Sequence, residues 1–259
     1  MKLGSLISGV LLAALTSTLA FAQSGPPGED HYLVYKVLNP PTFSVPVVLS
    51  DQFIPGANYV TFTLDYFMTP VNKNGEGIND PVTHYTWWRI STYPFAAYAI
   101  ISNQFGNVQP VSVFQPRYLL NPAIKTLPFY PPYTGPPPVK NHYVAYDADG
   151  PPLGVVVDLV DQFGPLPAEV DQMVYLAPPA QKLFQGQVYP ILDPVNHLAF
   201  YLISPLQELP PPPPIYATDE FGVWQLVLGP RVMLGVPSLK SGVVGTKRDT
   251  WGRVKSLYR

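Results

Sequence analysis

Histidine is the side chain whose unperturbed pKa lies closest to neutral pH, and this chain carries four of them at regular positions. Each begins a short aromatic run, and an Asp-Gln-Phe element or a close variant follows about 20 residues later. Imidazoles and carboxylates at a fixed spacing could act as general acids and bases or bind a metal ion. These residues are His31, His84, His142 and His197, then Asp51 with Phe53, Asn103 with Phe105, Asp161 with Phe163, and Asp219 with Phe221.

Two features of this pattern favour a structural role. The second copy has Asn103 in place of an acid, and both Asp and Asn can accept backbone N–H bonds where the chain turns off a strand while the following Phe packs in the core. A catalytic histidine is expected to be singular or clustered, whereas these begin every repeat. We therefore predict neutral imidazoles bonded to backbone. A metal site between His31 and His84, or between His142 and His197, stays open as the alternative.

Residues 72–80 resemble a calcium loop, since oxygen-bearing side chains alternate along them and a glycine stands at the sixth position. The first position is Asn rather than Asp, and the twelfth is Thr83 rather than a bidentate Glu, so a turn-rich connector is favoured. The calcium-loop candidates are Asn72, Asn74, Glu76 and Asp80. The chain has no cysteine, no G-x-S-x-G and no H-E-x-x-H. We predict no cofactor and no enzymatic activity.

The same elements recur four times along the chain. A proline with a lysine three positions on follows each Phe by 16 or 17 residues, and the prolines are Pro70, Pro122, Pro179 and Pro237. The repeats span residues 31–73, 84–125, 142–182 and 197–240. The junction 80–84 is nearly reproduced at 193–197, which indicates a duplicated pair of repeats. The fourth repeat also carries a polyproline insertion, Pro210–Pro214.

Each repeat of about 42 residues contains three strand patterns, the clearest of which alternates apolar and polar residues over 58–67. One such repeat cannot bury both faces of a sheet, but two packed together reach the size of an ordinary domain. The sequence predicts an all-β fold with two tandem β-sandwich or barrel-like domains, each built from two three-stranded repeats. The domains span 30–128 and 139–240, with a proline-rich linker at 129–138.

The ends of the chain are predicted to lie outside these domains. Residues 1–22 have the charged start, apolar run and small-residue cleavage site of a signal peptide, and residues 23–29 form a flexible leader. Residues 241–259 are a basic tail. The net charge of −2 offers no basic excess for nucleic acid. We expect a secreted or cell-surface bacterial protein with no membrane span after signal cleavage.

The repeats resemble those of a family of uncharacterised secreted bacterial proteins, whose units read His-x-x-Cys-Tyr, Asp-Gln-Phe-Gly and Cys-x-Pro-Val-x-Lys. The resemblance covers about residues 30–240 and implies a pairing of the two cysteines in each unit. Here apolar residues and one glycine stand at those positions, so the resemblance implies apolar contacts in place of disulfides. The expected pairs are Val34 with Met68, Trp87 with Leu120, Ala145 with Ala177, and Phe200 with Gly235.

Three functions are compatible with these observations. The first is a secreted, non-catalytic structural or surface-interaction protein that binds itself or a cell-surface or matrix component. The second is a polysaccharide-binding module, motivated by the many tyrosines and by Trp87, Trp88 and Trp224. It requires a row of exposed aromatic side chains. The third is a hydrolase, which requires a histidine and a carboxylate within hydrogen-bond reach in a deep pocket.

Overall fold

The computed structural model describes residues 29–245, apart from the side chains of residues 107–108 and 242–245. This part of the chain is built from strands without any α-helix, so the all-β class is confirmed. The strands are β1 (His31–Val37), β2 (Pro46–Ser50), β3 (Ala57–Lys73), β4 (Thr83–Ile90), β5 (Ala97–Asn103), β6 (Gly106–Thr126), β7 (His142–Asp149), β8 (Val155–Asp161), β9 (Gly164–Ala177), β10 (Pro179–Phe184), β11 (Gln187–Tyr189), β12 (Asn196–Pro205), β13 (Ile215–Asp219), β14 (Gly222–Leu226) and β15 (Leu228–Gly245).

Eight of the strands close into an antiparallel ring, and each repeat contributes two of them. The order around the ring is β1, β3, β4, β6, β7, β9, β12 and β15, and β15 pairs back with β1. Each repeat supplies the strand that begins at or next to its histidine and a long strand that carries its recurring proline or, in the third repeat, ends two residues before it. Closure leaves no free edge within the ring.

The interior of the ring is filled with aromatic and aliphatic side chains. The rings of Trp87 and Phe200, on strands from opposite sides, meet with 4.5 Å between their centroids. All eight strands contribute to this interior cluster, which consists of Tyr32, Val34, Met68, Tyr85, Trp87, Tyr118, Leu120, Tyr143, Ala145, Ala177, Leu198, Phe200 and Met233. The centre of the molecule is therefore a packed core.

The residue pairs expected in place of disulfides are cross-strand neighbours in this interior. Val34 lies opposite Met68, Trp87 opposite Leu120, and Phe200 opposite Gly235. Ala145 and Ala177 occupy the next step of the register beyond the Tyr146–Leu176 pair. A Cβ on Gly235 would stand only 2.6 Å from Phe200, so the large side chain uses the space that the glycine leaves.

The outer face of the ring is covered by short strands from each repeat. β2, β5, β8 and β13 each form a hairpin with the strand that follows, and each also pairs with a strand from the repeat two places away: β2 with β10, β5 with β15, β8 with β3, and β13 with β6. Buried residues of these arms and of the outer ring face form a second, larger core cluster. The ring strands are thus buried on both faces, which explains their nearly continuous aromatic and aliphatic runs.

The single sheet corrects the expectation of two tandem domains. A pair of repeats supplies only four ring strands, and all four repeats are needed to close the ring. Residues 129–138 join β6 to β7, which pair directly with each other, so this segment is a loop rather than an interdomain linker. The predicted signal peptide, most of the leader, and residues 246–259 of the tail lie outside the described residues, whereas residues 241–245 belong to β15.

Within residues 29–245, no helix has the length and apolar character that crossing a membrane would require.

Candidate functional site

The acid or Asn of each Asp-Gln-Phe element closes the turn between an arm strand and the next strand. In the first repeat, Asp51 Oδ1 accepts hydrogen bonds from the backbone N–H of Phe53 at 2.7 Å and of Ile54 at 3.0 Å. The other three repeats make the equivalent bond to the Phe two residues on, namely Asn103 to Phe105, Asp161 to Phe163 and Asp219 to Phe221. This is the geometry that turn chemistry leads one to expect, and Asn provides it as well as Asp.

The other side-chain atom of each turn residue binds an aromatic side chain from the repeat two places away. The bonds are Tyr146 Oη to Asp51 Oδ2 at 2.8 Å, Tyr35 Oη to Asp161 Oδ2 at 2.5 Å, Trp88 Nε1 to Asp219 Oδ2 at 2.7 Å, and Asn103 Nδ2 to Tyr201 Oη at 2.9 Å. Each aromatic residue stands four positions after its repeat's histidine. Sequence reasoning missed this role, although the constant spacing was a visible signal.

Three of the four histidines contact the middle residue of the next repeat's turn. Gln104 Nε2 lies 2.6 Å from His31 Nε2, Gln52 bonds to His197 Nε2, and His142 Nε2 donates to Glu220 Oε1 at 2.7 Å. His84 differs, because its ring stacks on Phe67 instead. Its Nδ1 bonds to the Val82 carbonyl, as that of His197 does to the Val195 carbonyl. Burial lowers the pKa of His31 and of His197 to about 4, and that of His84 to about 3. These imidazoles are neutral at physiological pH.

The recurring prolines and lysines belong to the same contacts. Each proline lies across the ladder from the residue that follows its repeat's histidine, in the pairs Pro70–Tyr32, Pro122–Tyr85, Pro179–Tyr143 and Pro237–Leu198. Three lysines lie about 5 Å from the ring of the next repeat's turn phenylalanine, in the pairs Lys125–Phe163, Lys182–Phe221 and Lys240–Phe53. We call each such set of histidine, lysine and neighbouring turn a junction. The repeated residues therefore hold one repeat against the next.

The junction between the third and fourth repeats is the one whose turn carries a carboxylate, Glu220, in the middle position. Lys182 Nζ lies 3.3 Å from Glu220 Oε2 and donates to Asn121 Oδ1 at 3.1 Å. Burial alone would raise the pKa of Glu220, but the hydrogen bond from His142 and the charge of Lys182 lower it overall. Burial lowers the pKa of His142, so the pair consists of a carboxylate and a neutral imidazole that donates from Nε2. The His142 Nδ1 atom has no hydrogen-bond partner in residues 29–245.

This charged junction borders a cleft of about 430 Å³. Prolines and apolar side chains form most of its wall, together with His142, Glu220 and Tyr189. The cleft meets the condition set for a hydrolase, since a histidine and a carboxylate are hydrogen-bonded at its wall. However, its lining within residues 29–245 includes no Ser, Thr or Cys that could act as a nucleophile. The chemistry available to His142 and Glu220 alone is limited to accepting a proton at His142 Nδ1.

The calcium-loop candidates are each engaged in separate contacts. Asn72 Oδ1 accepts from the Gly77 N–H, Asn74 Oδ1 accepts from the Asp158 N–H, Glu76 pairs with Lys73, and Asp80 accepts from Thr83 and pairs with Lys140. Within residues 29–245, no group of three or more His, Cys, Asp or Glu side chains is arranged to hold a metal ion. The loop therefore behaves as a connector whose polar side chains fix its own backbone and that of its neighbours.

The tryptophans do not form an exposed platform. Trp87 and Trp88 are fully buried, one inside the ring and one on its outer face. Trp224 is half-buried and meets Trp88 at 5.0 Å between ring centroids. These three side chains therefore provide no row of exposed rings on which a polysaccharide could stack.

No family model matches the chain, and no curated protein or solved structure shows significant similarity to it. Its function must therefore be inferred from its own geometry.

Proposed function

We propose that this is an exported, non-catalytic structural or surface-interaction protein that associates with further copies of itself. One observation carries the non-catalytic part of the proposal. The four histidines and the turn acids are buried and bonded to one another, to backbone or to neighbouring rings, so these groups stabilise the closed ring.

The exposed loop between β6 and β7 supports the interaction part. Phe129 and Val139 are each 85% exposed, and Tyr130 is 64% exposed, in a segment otherwise rich in proline. Neighbouring exposed aromatic and apolar residues are typical of interaction surfaces. Charged residues are only 12% of the chain and the net charge is −2, so electrostatic repulsion between copies is weak. A second copy of the chain is the occupant that these properties fit.

Size-exclusion chromatography with light scattering, on residues 23–259 over a range of concentrations, tests this proposal. We expect oligomers or filaments, and negative-stain microscopy of the same sample would show their form. The double variant Phe129→Ser, Tyr130→Ser should shift the sample to monomer. The matched control Tyr98→Ser, at a similarly exposed tyrosine on β5, should leave assembly unchanged. A wild-type protein that is monomeric at every concentration would contradict self-association.

The hydrogen-bonded His142 and Glu220 beside their cleft favour a hydrolase as the second candidate. Equivalent contacts at His31 and His197 use glutamine, which weighs against a catalytic purpose for this position. Hydrolysis of chromogenic ester and glycoside substrates, by wild type and by Glu220→Gln, distinguishes the two candidates. Turnover that the variant abolishes would establish the hydrolase. Absence of turnover by the folded wild type supports the non-catalytic assignment.

A further inference from the structure

A cleft in the described part of the chain lies where the fourth repeat departs from the other three. The cleft has a volume of about 480 Å³, and one wall is formed by residues 205–209, which follow β12. The separation between the histidine and the turn acid is 22 residues in this repeat, against 19 or 20 in the others. The wall formed by residues 205–209 therefore belongs to the segment in which this repeat is two or three residues longer than the others.

A second departure from the repeat pattern lies in the same cleft. Six residues before the recurring proline, the first three repeats have Leu64, Pro116 and Met173, whereas the fourth has Arg231. Arg231 is only 7% exposed and lines the cleft. Arg231 makes a hydrogen bond and a cation–π contact with Tyr35, whose hydroxyl oxygen accepts from Arg231 Nε at 3.0 Å and whose ring centroid lies 5.1 Å from the guanidinium.

The guanidinium of Arg231 has no direct counter-ion among residues 29–245. No carboxylate in this part of the chain lies within 4.0 Å of it. Asp161 lies beyond that distance. Tyr35 donates its hydroxyl proton to Asp161 Oδ2, and the charge of Arg231 acts on the Asp161 carboxyl at longer range, where it opposes the rise in pKa that burial causes. A desolvated cation without a paired anion is costly, and a guanidinium presents N–H groups in the fork geometry that matches a carboxylate.

Most of the remaining cleft wall is apolar. Leu166, Leu206 and Leu209 line it together with prolines, and Gln207 is held by a bond from its side chain to the Pro165 carbonyl. Glu208 is the one acid of this lining, and it is exposed to solvent. Water and salt screen its charge, so Glu208 repels a bound anion only weakly.

We propose that this cleft binds a small organic carboxylate with an apolar body, whose carboxylate pairs with Arg231 and whose apolar part packs on the leucines and prolines. The longer loop and the arginine, both confined to the fourth repeat, together form the site. The site is independent of the exposed loop at 129–139 and of any self-association.

Isothermal titration calorimetry with octanoate tests the proposal, with octanamide as a neutral probe of the same shape. Octanoate should bind saturably with one site per chain, and octanamide at least about tenfold more weakly, because a guanidinium–carboxylate pair is worth about 1.4 kcal/mol or more here. Arg231→Leu introduces the residue that the first repeat has at this position and should remove the preference for octanoate. Arg117→Leu, at an arginine outside the cleft, should leave it intact.

Leu206→Asp is a second variant that does not depend on how the protein tolerates the loss of Arg231. Leu206 is an exposed residue of the cleft wall, so the substitution should fold normally. It removes an apolar contact that both probes would make and adds a carboxylate, so it should weaken octanoate binding about fivefold or more and octanamide binding to a smaller extent. Three outcomes overturn the proposal: no saturable octanoate binding by wild type, equal binding of octanamide, or unchanged octanoate binding by Arg231→Leu. Unchanged octanoate binding by Arg231→Leu would indicate that the role of Arg231 is to stabilise the charge of Asp161 through Tyr35.

Discussion

The interior of the ring and the junctions on its outside are both built four times, but they tolerate different kinds of variation. The interior position three residues after each histidine is Val, Trp, Ala or Phe in the four repeats. At the junctions, histidine, phenylalanine, proline and lysine recur without exception, and the turn residue is Asp or Asn. Apolar packing can exchange volume between neighbours, whereas a hydrogen-bonded network needs the same donors and acceptors each time. The repeat therefore keeps the residues of its junctions and varies its packing, although His84 and Lys73 make contacts that differ from those of their counterparts.

The largest effect is expected from breaking the charged junction. Lys182→Met leaves Glu220 buried without its cation, which should lower the free energy of unfolding by about 3–5 kcal/mol in urea titrations. The matched control is Lys240→Met, at the junction whose turn carries Gln52 instead of Glu220. It should cost less than about 1 kcal/mol, because the buried Asp51 of that turn keeps its hydrogen bonds from Phe53, Ile54 and Tyr146 and interacts with Lys240 only at longer range. Adding Glu220→Gln to Lys182→Met should restore most of the lost stability. If the two lysine variants are equally unstable, then charge pairing is not what distinguishes the junctions.

Asp51→Asn tests whether the turn needs a charge. Burial raises the pKa of the Asp51 carboxyl to about 6, above its unfolded value of 3.8. Its contribution to stability is therefore complete below pH 3.8 and is lost as the pH rises to about 6. Between pH 4 and pH 7, the variant should gain about 2.4 kcal/mol of stability relative to wild type. Asn103 shows that Asn can make both turn contacts.

Urea unfolding of both proteins at pH 4, 5, 6 and 7 measures this difference. A difference between wild type and Asp51→Asn that stays constant with pH would mean that the Asp51 carboxyl titrates normally and that its burial is unimportant. Comparing the two proteins at each pH removes the contributions of the histidines, whose lowered pKa values act in the opposite direction.

The fourfold repeat, the all-β class and the turn role of the Asp-Gln-Phe element follow from the sequence because they depend on local spacing and local hydrogen bonds. Ring closure does not follow from it. The bond between Tyr35 and Asp161 joins residues 126 positions apart, and no local pattern specifies which repeat an arm will reach. The duplicated junction at 80–84 and 193–197 favoured two domains because it marks sequence similarity between the halves, and such similarity carries no information about strand pairing.

A disulfide engineered in the interior tests the register of the ring. Val34 and Met68 are directly opposite across β1 and β3, where Cα atoms are about 4.5–5.5 Å apart, within the range that a disulfide spans. The oxidised form of Val34→Cys, Met68→Cys should be about 2–4 kcal/mol more stable than its reduced form. Val34→Cys, Leu120→Cys is the control, since these two residues share the interior but lie on strands that do not pair. Mass spectrometry of the oxidised samples should detect a bond in the first variant alone.

The smallest effect is expected where packing is already matched pair by pair. Gly235→Ala adds a methyl group 2.6 Å from the Phe200 ring, which also packs against Trp87 in the buried interior, so the contact cannot relax freely. The free energy of unfolding, measured by urea titration, should fall by about 1–3 kcal/mol.

Phe200→Leu in the same chain should recover part of the lost stability, because the smaller side chain vacates the space that the methyl group takes. If Gly235→Ala costs nothing, the interior yields more readily than its close packing suggests. If adding Phe200→Leu lowers the stability of Gly235→Ala further, a contact other than the one with Phe200 requires glycine at position 235. The expected rescue would show that the interior conserves combined volume, whereas the junctions conserve residue identity.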